Sequence, residues 1–383
     1  MSLHPKKIDM SLDRIRSILD KLGSPHRSIN NCIAFVATNS KFSVLRFLQE
    51  ILRYNNKSTS AHISPHLIRY NERFEYQDNQ VSNEKFYESL KKIRRLIGSD
   101  NITFFEALSA CFFDMLSSVE SDYTLIEAGL GARLDCSVGN IDPLISVIGP
   151  ISYDHMDFLS DKIELIAYEK SAIIKRNKFA IIGYQPYPEA LQILLDQAEF
   201  REAKTFTYGI DWIIQERNNY YIYTDETKSF EFPRFKKHGG FQMYNLGLAI
   251  ASASKLNDIK IDDFLKKEKY QDVIIPGRFQ KLENTKLNEI SNNKLEIILD
   301  GGHNPGASVA LNETIKKMPK KDLCIVLGMQ RQKDPIAFIN NIENISCIKT
   351  VNIPNEENSY DAEVLMGILS DLNCEVKHST SIE

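Results

Sequence analysis

The sequence predicts an α/β protein: a doubly wound, mainly parallel sheet with a small antiparallel appendage, plus a second, smaller α/β domain. Three observations carry that prediction. Short apolar runs alternate with amphipathic helical stretches from residue 32 to about 184, the order that builds a parallel sheet with crossover helices. From 205 to 232 the pattern changes to short β-rich runs, YYIYTD and KSFEF, broken at Asn218-Asn219 and Glu226-Thr227, as an antiparallel ribbon on the first sheet would be. Beyond Pro276-Gly277-Arg278 the strand–helix alternation resumes. A chain of 383 residues exceeds one ordinary core, so domains at 1–275 and 276–383 are expected, with a linker near 272–276.

Bulk properties narrow the function classes. A formal net charge of −4 argues against a general nucleic-acid binder. The lysines at 316, 317, 320 and 321 close a predicted helix, where cations complement the carbonyl end. The six cysteines form no C-x-x-C pair. Cys32, Cys324 and Cys347 lie in apolar runs and are expected to be buried thiols rather than disulfide partners or zinc ligands. There is no apolar N-terminal signal region and no run long enough to cross a bilayer, so a cytoplasmic, membrane-free protein is expected.

In chain order, residues 11–21 have helical periodicity, with Gly23 placed to end the helix. CIAFVA at 32–37 reads as the first buried strand. Thr38-Asn39-Ser40-Lys41-Phe42-Ser43 then leads into the amphipathic helix FSVLRFLQEILRY. Strand, short loop with lysine and hydroxyl, then helix is the layout of a phosphate-binding loop. An ordinary turn capped by Ser40 is the alternative. Residues 58–63 read as a strand, turned by Pro65 so that Ser64 stands at its end; His66 reads as structural. Residues 82–97 form a charged helix. Thr103-Phe104-Phe105-Glu106 opens the next one with a T-x-x-E capping box.

The next strand delivers Glu127 to its C-terminal end, and the glycine-rich turn after it holds Arg133 and Asp135. The strand at 143–148 leads to Asp154-His155, and an acid-capped helix, placing Lys170 about four turns beyond His155, carries Glu169 and Lys170. A carboxylate and an imidazole converging on one sheet edge suit a divalent metal accompanied by a phosphate-bearing ligand. Residues 190–200 are helical, and Tyr244-Asn245 begins an Ala-rich helix. In the second domain, strands at 295–299, 323–327 and 347–353 alternate with helices. Asp300-Gly301-Gly302-His303-Asn304-Pro305 stands between the first strand and its helix, either a nucleotide contact or a turn.

These motifs, in this order over nearly the whole chain, resemble the folylpolyglutamate synthase and dihydrofolate synthase family of the Mur-ligase superfamily. The match rests on Thr38-Asn39-x-Lys41-x-Ser43, Ser64-Pro65-His66-Leu67 with Asn71-Glu72-Arg73, Thr103-Phe104-Phe105-Glu106, and Glu127-x-Gly-Leu-Gly-x-Arg-Leu-Asp135. It continues through Asp154-His155, Glu169-Lys170, Pro276-Gly277-Arg278 and Asp300-Gly-x-His303-Asn-Pro. The resemblance implies a P-loop-type first domain and a Rossmann-like, glutamate-ligase second domain. It places ATP on Ser40, Lys41, Phe42 and Ser43, with further contacts from Asn245, Arg278, Asp300 and His303. Mg2+ falls to Ser64, Glu127, His155 and a carbamylated Lys170, and the pterin substrate to Thr103, Phe104, Phe105, Glu106, Leu134, Asp135 and Cys136. Lys41, His155 and Lys170 are the residues implied for catalysis.

The implied reaction joins L-glutamate to dihydropteroate or a reduced folate through an acyl phosphate, in a monomer whose ATP binds between the domains. Where the family carries GTNGKGS, this chain has Ala37, Ser40 and Phe42 in place of the glycines. A side chain at a position needing positive φ costs roughly 1–2 kcal/mol, so a weakened ATP site is expected, one that Ser40→Gly with Phe42→Gly would tighten. Family members also continue beyond the point where this chain stops at Glu383, so a second domain short of its closing strand and helix is expected. Two alternatives remain open: a non-catalytic homologue that has lost ATP binding, and a Mur-type peptidoglycan ligase.

Overall fold

The computed structural model describes residues 11–98, 101–292, 294–319 and 322–379. Two compact units divide the chain: Met1–Arg234 with Met243–Ile275, and Phe235–Gln242 with Pro276–Glu383.

The first unit runs α1 (Asp13–Lys21), β1 (Cys32–Val36), α2 (Lys41–Tyr54), β2 (Thr59–His62), β3 (Phe74–Tyr76), β4 (Asn79–Gln80), α3 (Asn83–Ile97), α4 (Phe104–Leu116), β5 (Tyr123–Glu127) and β6 (Ile145–Ile148). It continues with α5 (Ile163–Ser171), β7 (Phe179–Ile182), α6 (Pro188–Phe200), β8 (Lys204–Thr207), β9 (Trp212–Arg217), β10 (Tyr220–Asp225), β11 (Ser229–Pro233), α7 (Gln242–Ala253) and α8 (Ile261–Lys266). Local chemistry sets several boundaries. Gly23 at φ +84° ends α1, and Ser24 N–H donates to Leu19 O at 2.7 Å. Ser82 caps α3 through Lys85 N–H, and Thr103 with Glu106 forms the reciprocal box at the start of α4.

Eight strands form the main sheet in the order β4-β3-β2-β5-β1-β6-β7-β8. All neighbours are parallel except β2–β3 and β3–β4. The central strands β1 and β5 are buried along their whole length, as strands covered on both faces are.

Here two expectations change. Residues 204–207 are the last parallel strand of this sheet rather than part of the antiparallel appendage. Asp211 accepts from Thr207 N–H at 2.7 Å and turns the chain, so the three-stranded antiparallel sheet β11-β10-β9 stands separately. The helix carrying Lys170 starts only at Ile163, after turns and bends at 156–162, so Lys170 sits in the last turn of a short α5 rather than four turns along a continuous helix.

The second unit contains β12 (Gln280–Leu282), α9 (Lys286–Ile290), β13 (Ile297–Leu299), α10 (Pro305–Ile315), β14 (Leu323–Leu327), α11 (Pro335–Ile339), β15 (Ile345–Val351), α12 (Ala362–Leu369) and β16 (Glu375–Ser379). Its strands make two sheets, an antiparallel pair β12–β13 and a parallel trio β14-β15-β16. The three-residue β12 carries no period long enough to be read from sequence. The core gathers Leu327, Met329, Phe338, Ile339, Ile348, Leu365 and Leu369.

The cysteine reading is corrected in this unit. Cys324 and Cys347 are register partners on β14 and β15, with Cα atoms 4.7 Å apart, and are joined as a disulfide. The apolar runs are not buried on both faces: Cys324 is exposed and Val326 is 53% exposed, while Leu327 and Ile348 face the core. Cys32, Cys111 and Cys136 are free and buried. Lys316 pairs with Glu343 at 2.9 Å; residues 320 and 321 lie outside the described residues. Among the described residues no helix is long and apolar enough to cross a membrane.

Candidate active site

Parallel strands leave their C-terminal ends on one edge of a sheet, where loops can converge. The order β2-β5-β1-β6 brings four such loops together: Ser64 after β2, Glu127 at the end of β5, residues 37–43 after β1, and Asp154-His155 after β6.

The loop after β1 is where the glycine losses are felt. Ser40 has φ +82°, the left-handed conformation, and its hydroxyl makes no cap hydrogen bond. Instead Ser40 Oγ is buried without a partner. It fills space against Gly149 at the end of β6, where a Cβ would overlap both Ser40 Oγ and Ala37 Cβ. Phe42 differs: it lies inside α2 and its φ is not positive. Its ring carries the Arg46 guanidinium 5.0 Å from its centroid. Only Ser40 therefore bears a backbone penalty, and the expected relief at Phe42 does not apply. Ser43 is buried on α2.

Two ammonium groups meet on one acceptor. Lys41 Nζ donates to Ala37 O at 3.0 Å, and Lys170 Nζ donates to the same oxygen at 3.1 Å. Burial, helped by the Lys41 charge, pulls the pKa of Lys170 down to about 7, against the opposing pull of Asp154 and Asp135. Lys41 and a Lys170 amine whose proton is loosely held thus share one acceptor beside the loop.

On the other side of the loop, Glu127 is 2% exposed and accepts from Ser64 N–H at 2.8 Å. Arg73 is buried near it; burial lowers its pKa and Glu127 opposes that shift. Asp154 accepts from His155 N–H at 2.8 Å, and His155 holds φ +52°. Of the hydroxyl, carboxylate and imidazole on this edge, the two oxygen donors are the ones whose chemistry suits a hard divalent cation. Lys170 as an ammonium does not, because it has donors only. Among the described residues no group of three His, Cys, Asp or Glu side chains gathers as a metal cluster.

The segments assigned to substrate also come together. Glu106 is held by Thr103 N–H at 2.6 Å and by Arg14 Nε at 3.0 Å. Phe104 packs edge-on to Tyr70 at 5.4 Å. The Phe105 ring covers Gly129, where a Cβ would overlap it. Cys136 Sγ lies 3.3 Å from Ser109 Oγ on α4, and Leu134 is half-buried beside it.

Asp135 is turned inward. Its carboxylate accepts from Gly129 N–H and Leu130 N–H at 2.9 Å and from Ser137 N–H at 3.0 Å and Val138 N–H at 3.1 Å, as well as from the Ser137 hydroxyl. Burial raises its pKa against those donors. It shapes the loop rather than presenting a charge to a ligand.

Asn245 is buried on α7. In the second unit, Asp300 accepts from Phe279 N–H at 2.7 Å and Gly302 N–H at 2.6 Å, and burial raises its pKa. Arg278 Nη1 donates to Gly277 O at 3.1 Å, and His303 Nδ1 donates to Gly301 O at 2.8 Å. These three form one loop cluster of that unit. Sequence reasoning left Arg73, Gly149 and Asp154 without roles; the Asn71-Glu72-Arg73 motif pointed to the first, whereas Gly149 acquires meaning only once Ser40 is seen against it.

Comparison with known proteins identifies the family. Residues 78–253 match the Mur ligase middle domain. A dihydrofolate synthase/folylpolyglutamate synthase of Haemophilus influenzae is 30% identical over 341 residues, covering 86% of this chain and 76% of that protein. Its counterpart in Escherichia coli is 28% identical over 343 residues, covering 87% and 75%. The solved Mycobacterium tuberculosis folylpolyglutamate synthase complexed with ADP superposes with a TM-score of 0.86 at 25% identity, covering 98% of this chain and 85% of that one. With a shared fold, these motifs on one sheet edge and this degree of identity, the chain belongs to the folylpolyglutamate synthase/dihydrofolate synthase family of ATP-dependent ligases.

Proposed function

We propose that this protein joins L-glutamate to dihydropteroate, a reduced folate, or both, at the cost of ATP. The observation that carries the reading is the pair of lysines on Ala37 O at 3.0 and 3.1 Å, beside the Ser64–Glu127 pair. The pterin carboxylate attacks the γ-phosphorus of ATP, and the bond to the β,γ-bridging oxygen breaks. ADP leaves with that electron pair. The neutral amine of glutamate then attacks the acyl phosphate carbonyl, inorganic phosphate departs, and the ammonium proton goes to solvent. Lys41 neutralises the transferring phosphoryl group, and the helix start behind it adds backbone N–H donors. Phe104, Phe105 and the loop organised by Asp135 hold the pterin. In the second unit Arg278, Asp300 and His303 serve the nucleotide. Ser64, Glu127 and His155 would hold Mg2+, which supplies charge neutralisation when bound. We place the protein in the cytoplasm, acting as a monomer.

Lys170 belongs to this site as a carbamate. A pKa near 7 leaves much of the amine neutral at physiological pH, and the neutral amine is the form that adds CO2 with release of a proton. The product has carboxylate oxygens where the ammonium had only donors. Lys170→Ala is expected to lower turnover by at least a hundredfold, with partial return on adding short-chain carboxylates. An active sample whose intact mass and electron density show an unmodified Lys170 refutes the carbamate.

ADP release in the presence of dihydropteroate, ATP, Mg2+ and L-glutamate tests the reading. ADP that depends on both acceptor and glutamate supports it. Signal only with a UDP-sugar peptide acceptor moves the protein to the peptidoglycan ligases. One observation favours a second reading, a homologue that binds pterin or metal without turnover: Ser40 stands in a glycine's conformation with its hydroxyl buried. Tight dihydropteroate binding with no ADP release selects it.

A further inference from the structure

The far end of α2 carries a cleft that the site described above does not use. Glu50, Arg53 and Tyr54 line it from the last turns of α2 and Phe264 from α8. Lys269 and Asp272 close it from the single helical turn Lys269–Asp272 that follows α8. All six residues belong to the first unit. Because α2 begins at Lys41, the cleft lies about 14–20 Å along that helix from the phosphate loop. Its volume is about 270 Å3. That is just below the range of about 300–1,000 Å3 usual for small-molecule pockets, so a ligand of few atoms fits.

Charge decides what the cleft would take. Arg53 is already engaged, with Glu50 through Nη1 and with Asp78 at 3.7 Å. Tyr54 is fixed as well. Its hydroxyl donates to Asp263, which also accepts from Lys267 Nζ at 3.0 Å, and its ring packs edge-on to Phe264 with centroids 5.7 Å apart. Lys269 and Asp272 are exposed and make no ion pair among the described residues. The cleft therefore presents one uncommitted ammonium and one uncommitted carboxylate beside two ordered aromatic rings.

We propose that this cleft binds a free α-amino acid with an apolar or aromatic side chain. The ligand's carboxylate meets Lys269, its ammonium meets Asp272, and its side chain lies on Tyr54 and Phe264. A simple anion or a simple amine satisfies one of the two charges and leaves the other uncompensated. A further charge on the ligand's side chain finds no free partner, since Arg53 and Glu50 hold each other. The cleft thus discriminates against glutamate, the amino acid of the proposed reaction. This inference does not rest on the ligase reading.

The test is titration of the full chain with L-phenylalanine, followed by NMR of the ligand. Phenylpropionate lacks the ammonium and phenylethylamine lacks the carboxylate. Each is expected to bind about two- to fivefold more weakly, the range that exposed ion pairs give. Glycine, with no side chain to lay on the rings, is expected to bind at least about tenfold more weakly. Lys269→Ala should bind L-phenylalanine and phenylethylamine alike, and Asp272→Ala should bind L-phenylalanine and phenylpropionate alike. Both variants are expected to keep the parental melting temperature, because both side chains are exposed. No saturable binding of L-phenylalanine overturns the proposal. Equal affinity for the three aromatic compounds also overturns it, as does selectivity unchanged in both variants. Displacement of L-phenylalanine by MgATP would put the amino acid in the site of the proposed reaction and overturn it too.

Discussion

At the residue scale, the cost of a glycine-poor loop gathers on Ser40, which holds φ +82° with its hydroxyl buried. A left-handed backbone costs a side chain on the order of 1 kcal/mol, and a buried hydroxyl without a partner adds a similar amount. Ser40→Gly removes both penalties, so we expect about 1–2 kcal/mol of added stability in urea unfolding and tighter MgATP binding by calorimetry. Phe42→Gly relieves no backbone strain; it places glycine in the first turn of α2 and loses the Arg46 contact, so stability is expected to fall by about 1 kcal/mol. Gly149→Ala is the converse experiment. Its Cβ meets Ser40 Oγ and Ala37 Cβ, and overpacking of this kind costs about 1–3 kcal/mol. Combining it with Ser40→Gly should recover part of that loss, and additive unfolding energies in the double-mutant cycle would refute the contact.

At the scale of elements, His62 on β2 links the sheet to α4. Its ring stacks on Phe74 at 5.5 Å and Phe112 at 4.9 Å, and its Nδ1–H donates to Arg73 O at 3.1 Å. Burial lowers its pKa from 6.5 to about 4. The unfolded chain therefore binds this proton more tightly than the folded one. The stability contributed is complete above pH 6.5 and is lost as pH falls from 6.5 toward 4, by about 3 kcal/mol in all. Urea melts at pH 7 and pH 4.5 should show this slope in the parent and a shallower one in His62→Leu, whose side chain cannot charge. An unchanged slope would assign the acid sensitivity elsewhere. The boundaries of β2 and α4 could be read from Pro65 and the Thr103–Glu106 box. Their meeting around a histidine could not, because His62 and its α4 partner Phe112 lie far apart in the chain and are brought together only by folding.

For the whole molecule, two units with separate cores should unfold in two transitions. The Cys324–Cys347 bond spans 23 residues of the second unit, and closing a loop of that length restricts the unfolded chain by about 3 kcal/mol. Reduction is expected to lower that unit's midpoint by about 10–20 °C and to leave the first unit's unchanged, since its described cysteines are free. Scanning calorimetry with and without reductant checks this; a common shift of both transitions would contradict it.

The sequence by itself determined the alternation that makes the main sheet parallel, the helix caps, and the residue types gathered at its edge, because these depend on short-range periodicity and on side-chain chemistry. The placement of Lys41 in a strand-to-helix loop and of Glu127 at a strand end could be read for that reason, whereas the roles proposed for Lys41, Glu127, His155 and Lys170 rest on the family resemblance. Tertiary structure alone decided which strands became neighbours and therefore what each loop faces. It joined β8 to the parallel sheet, opposed Cys324 to Cys347, and set Ser40 against Gly149. It brought Lys41 and Lys170 to one carbonyl. The physical reason is that local pattern selects an element and the face it buries, whereas the partner across that face is chosen by packing among residues from tens to more than a hundred positions apart.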